Sequence, residues 1–320
     1  MPLSTSSSEE IDTAAMQKAK RALWCLIGLL ILIGVFIEGI GREFSHISRI
    51  QNRVVSDYNA AIQLKPTGTD NKPTLLLLGN SLALDGVNLP EFQKGTASDY
   101  HVSRFIVEQT AYRDWYYGLR KLFNAGARPK VVLLCLSTHH LVVEGVRWGY
   151  FAHFLMDLRD LPSVVRMESL DPTTASTYFF ANLSSWIGNK TEIRNWLLVK
   201  TLPDIVKFGN LFPDLPPAPA DDVVKVLAAK RFREIQEICA PYGTKPVLLI
   251  PPNLDVHDPV QMVAEEGRKA GVLVLVPYRP GEMPPQYFQG DRYHLNDEGA
   301  LLFTPRLVEQ LHQIAVTGIQ

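Results

Sequence analysis

The chain predicts an α/β domain, a mainly parallel sheet covered by helices on both faces, preceded by one N-terminal transmembrane helix. Three observations predict it. Short apolar runs alternate with helical stretches from residue 74 onward. The first run, Leu75-Leu76-Leu77-Leu78, is continuous rather than alternating, as strands buried on both faces are. Residues 22–37 form an uninterrupted apolar stretch near the N-terminus, which continues past Glu38 to Ile40. With 320 residues, 46% hydrophobic and 20% charged, the chain can bury a large core. A formal net charge of −1 supplies no general field for nucleic acid.

Taken in order, residues 1–21 read as a cytoplasmic tail, of which 1–17 are rich in Ser, Thr and Glu and expected to be disordered. Residues 22–41 match the roughly 20 residues that a spanning helix needs. Lys18, Lys20 and Arg21 just before the span hold the N-terminus in the cytoplasm and put the rest of the chain outside a bacterial inner membrane. Arg42, Arg49 and Arg53 beyond the span pull against that orientation. A cleaved signal peptide is the rival reading, since Gly39 and Gly41 have cleavage-like spacing, but the apolar stretch is long for one. A buried core helix is the third; against it, the segment is terminal and apolar on all faces.

Residues 42–72 read as a juxtamembrane helix and linker ending near Lys65-Pro66-Thr67-Gly68. The domain proper then occupies 73–320. Its strands are expected at 74–79, 101–106, 130–137, 245–250 and 272–276, and its helices at 111–125, 222–241, 259–270 and 297–314. Residues 145–220 interrupt the alternation with aromatics, among them Trp148, Tyr150, Phe179, Phe180 and Trp196, and with prolines from 213 to 219. This reads as a helical insertion that caps the site or faces the membrane, or equally as extra core helices. Cys25, Cys135 and Cys239 form neither a disulfide framework nor a zinc pattern.

Two distant segments carry the chemistry. Gly79-Asn80-Ser81 ends the first strand, where α/β sheets place ligands. Asp291-Arg292-Tyr293-His294 sets an acid three residues before a histidine, so the carboxylate can turn back onto one ring nitrogen and leave the other free. Ser81, His294 and Asp291 are thus the parts of a nucleophile, a base and an orienter. Each has a plainer role: Ser81 as a helix cap, Asp291 as a turn residue, and His294 as a neighbour of an N-cap Asn296. Three such coincidences are less ordinary than one. No His-x-x-x-His spacing occurs, and neither metal nor cofactor is implied.

With these residues in view, the chain resembles the SGNH (GDSL-like) hydrolase superfamily over about residues 73–143 and 222–315. The resemblance implies a flavodoxin-like three-layer α/β/α fold. The family's first block is Gly-Asp-Ser, here with Asn80 for Asp, and its last is Asp-x-x-His followed by a helix. The middle blocks depart from the pattern. The family's second block offers a glycine N–H to the oxyanion; here Val107-Glu108-Gln109-Thr110-Ala111 has none, which leaves Thr110 or its neighbours. The third block is Gly-x-Asn-Asp; here Leu136-Ser137-Thr138-His139-His140 stands in its place, with His139 where the Asn would donate. Asn80 is either a turn former or a hydrogen-bonding member of the site. His139 and His140 also suit a solvated strand end, and Trp115, Tyr116 and Tyr117 suit core as well as a sugar site.

Anchored proteins of this kind with degenerate middle blocks resemble the partners of multi-span membrane-bound O-acyltransferases in envelope polysaccharide modification. The resemblance implies acyl transfer to or from a sugar hydroxyl, with a polysaccharide substrate and no nucleic acid. The competing readings are a non-catalytic partner or carbohydrate-binding module, and a lipid esterase or thioesterase at the membrane surface.

Overall fold

A computed structural model describes residues 13–146, 151–201 and 220–317. It begins with α1 (Thr13–Ile47) and α2 (Arg49–Ile62), joined at Ser48, whose hydroxyl caps α2. There follow β1 (Thr74–Gly79), α3 (Ser81–Gly86), α4 (Leu89–Gly95), β2 (His101–Ile106), α5 (Tyr112–Asn124), β3 (Val131–Cys135) and α6 (Thr138–Val142). A π-helical turn at Phe151–Leu155 leads to α7 (Leu161–Met167), α8 (Pro172–Leu183) and α9 (Ser185–Thr201). The chain continues with α10 (Asp221–Cys239), β4 (Lys245–Leu249), α11 (Val260–Lys269), β5 (Leu273–Leu275) and α12 (Asp297–Thr317).

The five strands pair in the order β2-β1-β3-β4-β5, all parallel. This is the doubly wound order with a switch point between β1 and β3, where the chain leaves β1 for opposite sides of the sheet. The continuous leucine run of β1 serves both faces. Leu76 and Leu78 pack with Trp115, Phe232 and Val263 from α5, α10 and α11. Leu75 and Leu77 pack with Phe92, Phe303 and Leu307 from α4 and α12. An alternating strand could not fill two apolar layers, which is why the run reads without a break. The expected strands and long helices stand within a few residues of these elements.

Residues 42–72 are not a tether. The helix read there is present as α2, and its Val54 and Ala61 are fully buried in the same core cluster as Leu76. One stripe of α2 is enough to dock it beside β2. Arg53, near the start of α2, bonds the Ile106 carbonyl (2.8 Å) and pairs with Glu108 (2.5 Å). At the other end, the Leu64 carbonyl accepts from Arg128 N–H just before β3. So α2 runs from the C-terminal edge of the sheet to its N-terminal edge, and α1 joins the domain at the C-terminal edge.

α1 is the one helix, among the described residues, long and apolar enough to cross a membrane. Its apolar side chains, Leu23 through Phe36, are mostly exposed, so it is no core helix. Its last turns are clamped to the insertion. Glu38 accepts from Ser184 Oγ (2.7 Å), Ser185 N–H (3.1 Å) and Trp186 N–H (3.4 Å), so a carboxylate from α1 satisfies the orphan donors at the start of α9. Gly41 permits this approach, since a Cβ there would lie 2.5 Å from Trp186 N. Ser48 Oγ bonds Glu192 (2.7 Å), and Phe44 meets Trp196 edge-on.

The insertion otherwise joins the core, with Phe151, Tyr178 and Ala181 buried beside Trp115 and Tyr117. Trp115 and Tyr117 are fully buried, so they are core and not a sugar platform. Trp148, Tyr150 and the prolines at 213–219 lie outside the described residues. The cysteines are unpaired: Cys25 is exposed on α1, and Cys135 and Cys239 are buried.

Lys121 of α5 holds the insertion from within, donating to the Phe154 carbonyl (2.8 Å). Burial pushes its ammonium from 10.5 down to about 8. Between those values the unfolded chain binds the proton and the folded chain releases it, so stability rises with pH across that window. Lys121→Met is expected to flatten the rise, read as the urea midpoint of the full chain in detergent at the two ends of the window.

Candidate active site

The site is built at the switch point. β1 ends at Gly79, where a Cβ would sit 2.7 Å from the Cys135 carbonyl and 2.8 Å from the Ala83 Cβ. Glycine therefore lets β1 turn directly into α3 against β3. Asn80 then caps α3, its Oδ1 accepting from Leu82 N–H (3.0 Å), and its Nδ2 donates to the Thr110 carbonyl (2.9 Å). Ser81 follows as the first residue of α3.

His294 and Asp291 come from a loop closed at its base by an antiparallel bridge between Phe288 and Leu295. Gln289 N–H donates to the His294 carbonyl (2.7 Å), and Arg292 takes a left-handed φ of 58° to complete the turn. Asp291 Oδ1 accepts from the backbone N–H groups of Tyr293 (3.0 Å) and His294 (3.1 Å). Its Oδ2 accepts from His294 Nδ1 at 2.6 Å. The other ring nitrogen, Nε2, lies 2.8 Å from Ser81 Oγ. With the Nδ1 proton directed at Asp291, Nε2 of the neutral ring is the acceptor for the Ser81 hydroxyl. The structure thus brings Ser81, His294 and Asp291 into one hydrogen-bonded line from residues 213 positions apart.

Burial tends to raise the Asp291 pKa, but the hydrogen bonds from the His294 ring and the two N–H groups outweigh it and hold the carboxyl below its ordinary value. Asp291 is therefore an anion through the neutral range, as an orienter of an imidazole must be. Nearby Asp85 is shifted the other way by burial; its carboxylate accepts from Gln289 Nε2 (3.2 Å), which ties α3 to the same loop.

The side chains of two residues expected at the oxyanion, Asn80 and Thr110, are engaged within the protein. Both polar groups of the Asn80 side chain are engaged as described, and Asn80 is buried. Thr110 Oγ1 donates to the Val107 carbonyl (2.7 Å) and accepts from Trp115 Nε1 (2.9 Å). Asn80 and Thr110 thus brace the loop after β2 against α3 instead of presenting side chains to a substrate. The reason is local: Asn is a favoured helix cap, and a buried cap must satisfy its amide as well as its carbonyl.

His139 stands in the wall of a separate cleft of about 370 Å³ at the ends of β3 and β4. Asn253, Asp255, Asp258 and Tyr293 line the same cleft, and the triad itself is not in its lining. Asn253 Nδ2 donates to Asp258 Oδ2 (2.7 Å). Among the described residues no group of three or more His, Cys, Asp or Glu is placed to hold a metal ion.

Sequence reasoning missed the contact that ties the triad loop to β3. Ser137 Oγ and Tyr293 OH lie 2.8 and 3.1 Å from His140 Nδ1, and 3.3 Å from each other. Tyr293 sits between Asp291 and His294, and its ring meets the His294 ring edge-on at 5.3 Å. Holding Tyr293 holds both members of the relay. Tyr293→Phe is expected to reduce kcat roughly 10-fold, the worth of a hydrogen bond of about 1 kcal/mol or slightly more, with little change in Tm. Steady-state kinetics beside thermal melts check this.

No protein-family model matches the sequence, and no curated protein matches it. Among solved structures, a variant of Axe2, an acetyl-xylooligosaccharide esterase from Geobacillus stearothermophilus, aligns over 77% of this chain and 95% of its own, at 11% identity and a TM-score of 0.41. LAE5, an α/β hydrolase enzyme from the metagenome of Lake Arreo, aligns over 78% and 96% at 11% identity and 0.39. TesA aligns over 78% of this chain and all of its own at 12% identity and 0.36. At these values none of them decides what this chain does.

Proposed function

We propose that the chain is a membrane-anchored SGNH-like serine acyltransferase or acylesterase. It acts on O-acyl groups, acetyl in the first instance, of envelope or exported polysaccharide through an acyl-Ser81 intermediate. The observation that carries this reading is the relay from Ser81 through His294 to Asp291 at the C-terminal edge of β1. Ser81 Oγ attacks the acyl carbonyl as its proton passes to His294 Nε2. The tetrahedral adduct collapses, the His294 proton goes to the leaving alcohol, and the acyl group stays on Ser81. An incoming hydroxyl, of sugar or water, gives its proton to His294 and attacks the acyl carbonyl; as the bond to Ser81 Oγ breaks, His294 Nε2 returns that proton to Ser81 Oγ and the free hydroxyl is restored. Asp291 remains ionised and steadies the imidazolium. With the Asn80 side chain engaged elsewhere, the Ser81 N–H is assigned to the oxyanion.

The acceptor is assigned to the cleft beside Tyr293. Carboxylates, an amide and the His139 ring accept and donate to hydroxyls, and a phenol ring offers an apolar face to a sugar. α1 serves as an uncleaved anchor in a bacterial inner membrane, with the domain on the outer side and a multi-span O-acyltransferase as partner. One observation favours the second reading, a non-catalytic partner: the Asn80 side chain, expected at the oxyanion, is a brace. The full chain in nanodiscs, given an acetyl ester with and without an oligosaccharide acceptor, separates the two. Acetate release or acetylated sugar that depends on Ser81 supports the enzyme. Equal rates for the parent and Ser81→Ala proteins overturn it.

A further inference from the structure

α8 and α9 form a helical hairpin whose tip, at Leu183–Ser185, abuts α1 at Glu38. Glu38 of α1 meets Ser185 at the start of α9, whereas Phe44, later in α1, and Ser48 just beyond it meet Trp196 and Glu192 further along α9. The hairpin tip is therefore the part of the insertion nearest the exposed apolar turns of α1. On α8, Phe179, Phe180 and Leu183 are spaced to share one helical face, while Tyr178 and Ala181 turn to the core. Those three side chains are 39%, 52% and 55% exposed. Leu183 directly precedes the Ser184–Trp186 turn that Glu38 holds, and Glu38 lies near the end of a span of about 20 residues starting at Ala22. Arg42, 71% exposed, stands one turn beyond Glu38 on α1.

We propose that the tip of this hairpin is a second membrane contact, in which Phe179, Phe180 and Leu183 enter the lipid interface beside α1. The inference rests on the reading of α1 as an anchor. Aromatic and aliphatic side chains on one helical face, next to a basic residue, suit that boundary. The consequence is orientation. Because Glu38 and Gly41 lock α1 to α9, and α1 joins the domain at the C-terminal edge of the sheet, the edge that carries Ser81 is held toward the bilayer. An acyl group would then reach Ser81 from the membrane plane.

The native thiol of Cys25 lies exposed on α1, and Cys135 and Cys239 are buried. A spin label on Cys25 of the full chain, in nanodiscs of phosphatidylethanolamine and phosphatidylglycerol, reports on the anchor itself. In a Cys25→Ser background, labels at Phe180→Cys and separately at Leu183→Cys report on the hairpin tip, and Lys94→Cys is the water reference. The expected result is an oxygen-to-nickel accessibility ratio several-fold higher at 180 and 183 than at 94, approaching that at 25. A lipid-like label at 25 with water-like labels at 180 and 183 would overturn the second contact, leave the anchor standing and reserve the patch for a protein partner. A water-like label at 25 would sink the anchor and the contact together.

Discussion

Ser81→Ala is expected to lower ester turnover by at least about 10,000-fold, since nucleophile and base act as one unit in a relay of this type. Removing one hydroxyl from a partly exposed helix start should cost little stability, so the melt of the variant should match the parent. His294→Ala should fall as far, and the double variant hardly further. That non-additivity is the mark of residues that share one step. Kinetics with an acetyl ester and labelling by a fluorophosphonate both read it. If the three variants lose independent, additive fractions of the rate, Ser81 and His294 do not work in series.

Arg231→Ala is expected to destabilise the fold by about 2 kcal/mol or more, since it empties the space of a fully buried side chain and leaves the part-buried Glu234 with one cation fewer. Arg231 of α10 is fully buried and pairs with Glu144 (2.8 Å) and Glu234 (3.3 Å), while its guanidinium covers the Tyr112 ring at 4.9 Å. Arg113 stands 3.6 Å from both carboxylates. The cluster ties α5 and α10 to Glu144, just beyond α6, and so braces the segment that carries Ser137 and His140. Urea unfolding should show the lower midpoint, and the Tyr293 hydroxyl contact should loosen with it. Arg231→Met, which keeps the apolar stem, should recover part of the loss. If Arg231→Ala melts like the parent, the cluster is not holding the elements together.

Much of this architecture is legible in the chain because it follows from local rules. A leucine run bounded by Pro73 and Gly79 has one reading as a two-sided strand, and Gly79 is required by the 2.7 Å approach of the Cys135 carbonyl. The Asp291-to-His294 spacing is short enough that the loop alone brings carboxylate and ring together. The misread parts depend on tertiary contacts that no local pattern encodes. The juxtamembrane helix is present as α2, but nothing local shows that Val54 and Ala61 dock it on the sheet. The Asn80 side chain looks like a substrate ligand until its amide is seen to bond the Thr110 carbonyl and its oxygen to cap α3. Ser137, His140 and Tyr293 are unremarkable residues that meet only when the end of β3 and the loop after Phe288 lie side by side. One signal was available: Tyr293 falls between two members of the relay, where a side chain cannot avoid a neighbour in the site. The clamp of Glu38 on α9 was hidden for a different reason, since an acid at the end of an apolar helix reads as a boundary and not as a ligand for a second helix.

The most direct measurement is the mass of the peptide that contains Ser81 after the full chain, in nanodiscs, is mixed with an activated acetyl ester and quenched in acid. An acetyl increment on Ser81, absent from Ser81→Ala and accumulating in His294→Gln only far more slowly, is the predicted result. A parent protein that turns over the ester while Ser81 stays unmodified at every quench time, or that acetylates a different residue, would contradict an acyl-Ser81 intermediate.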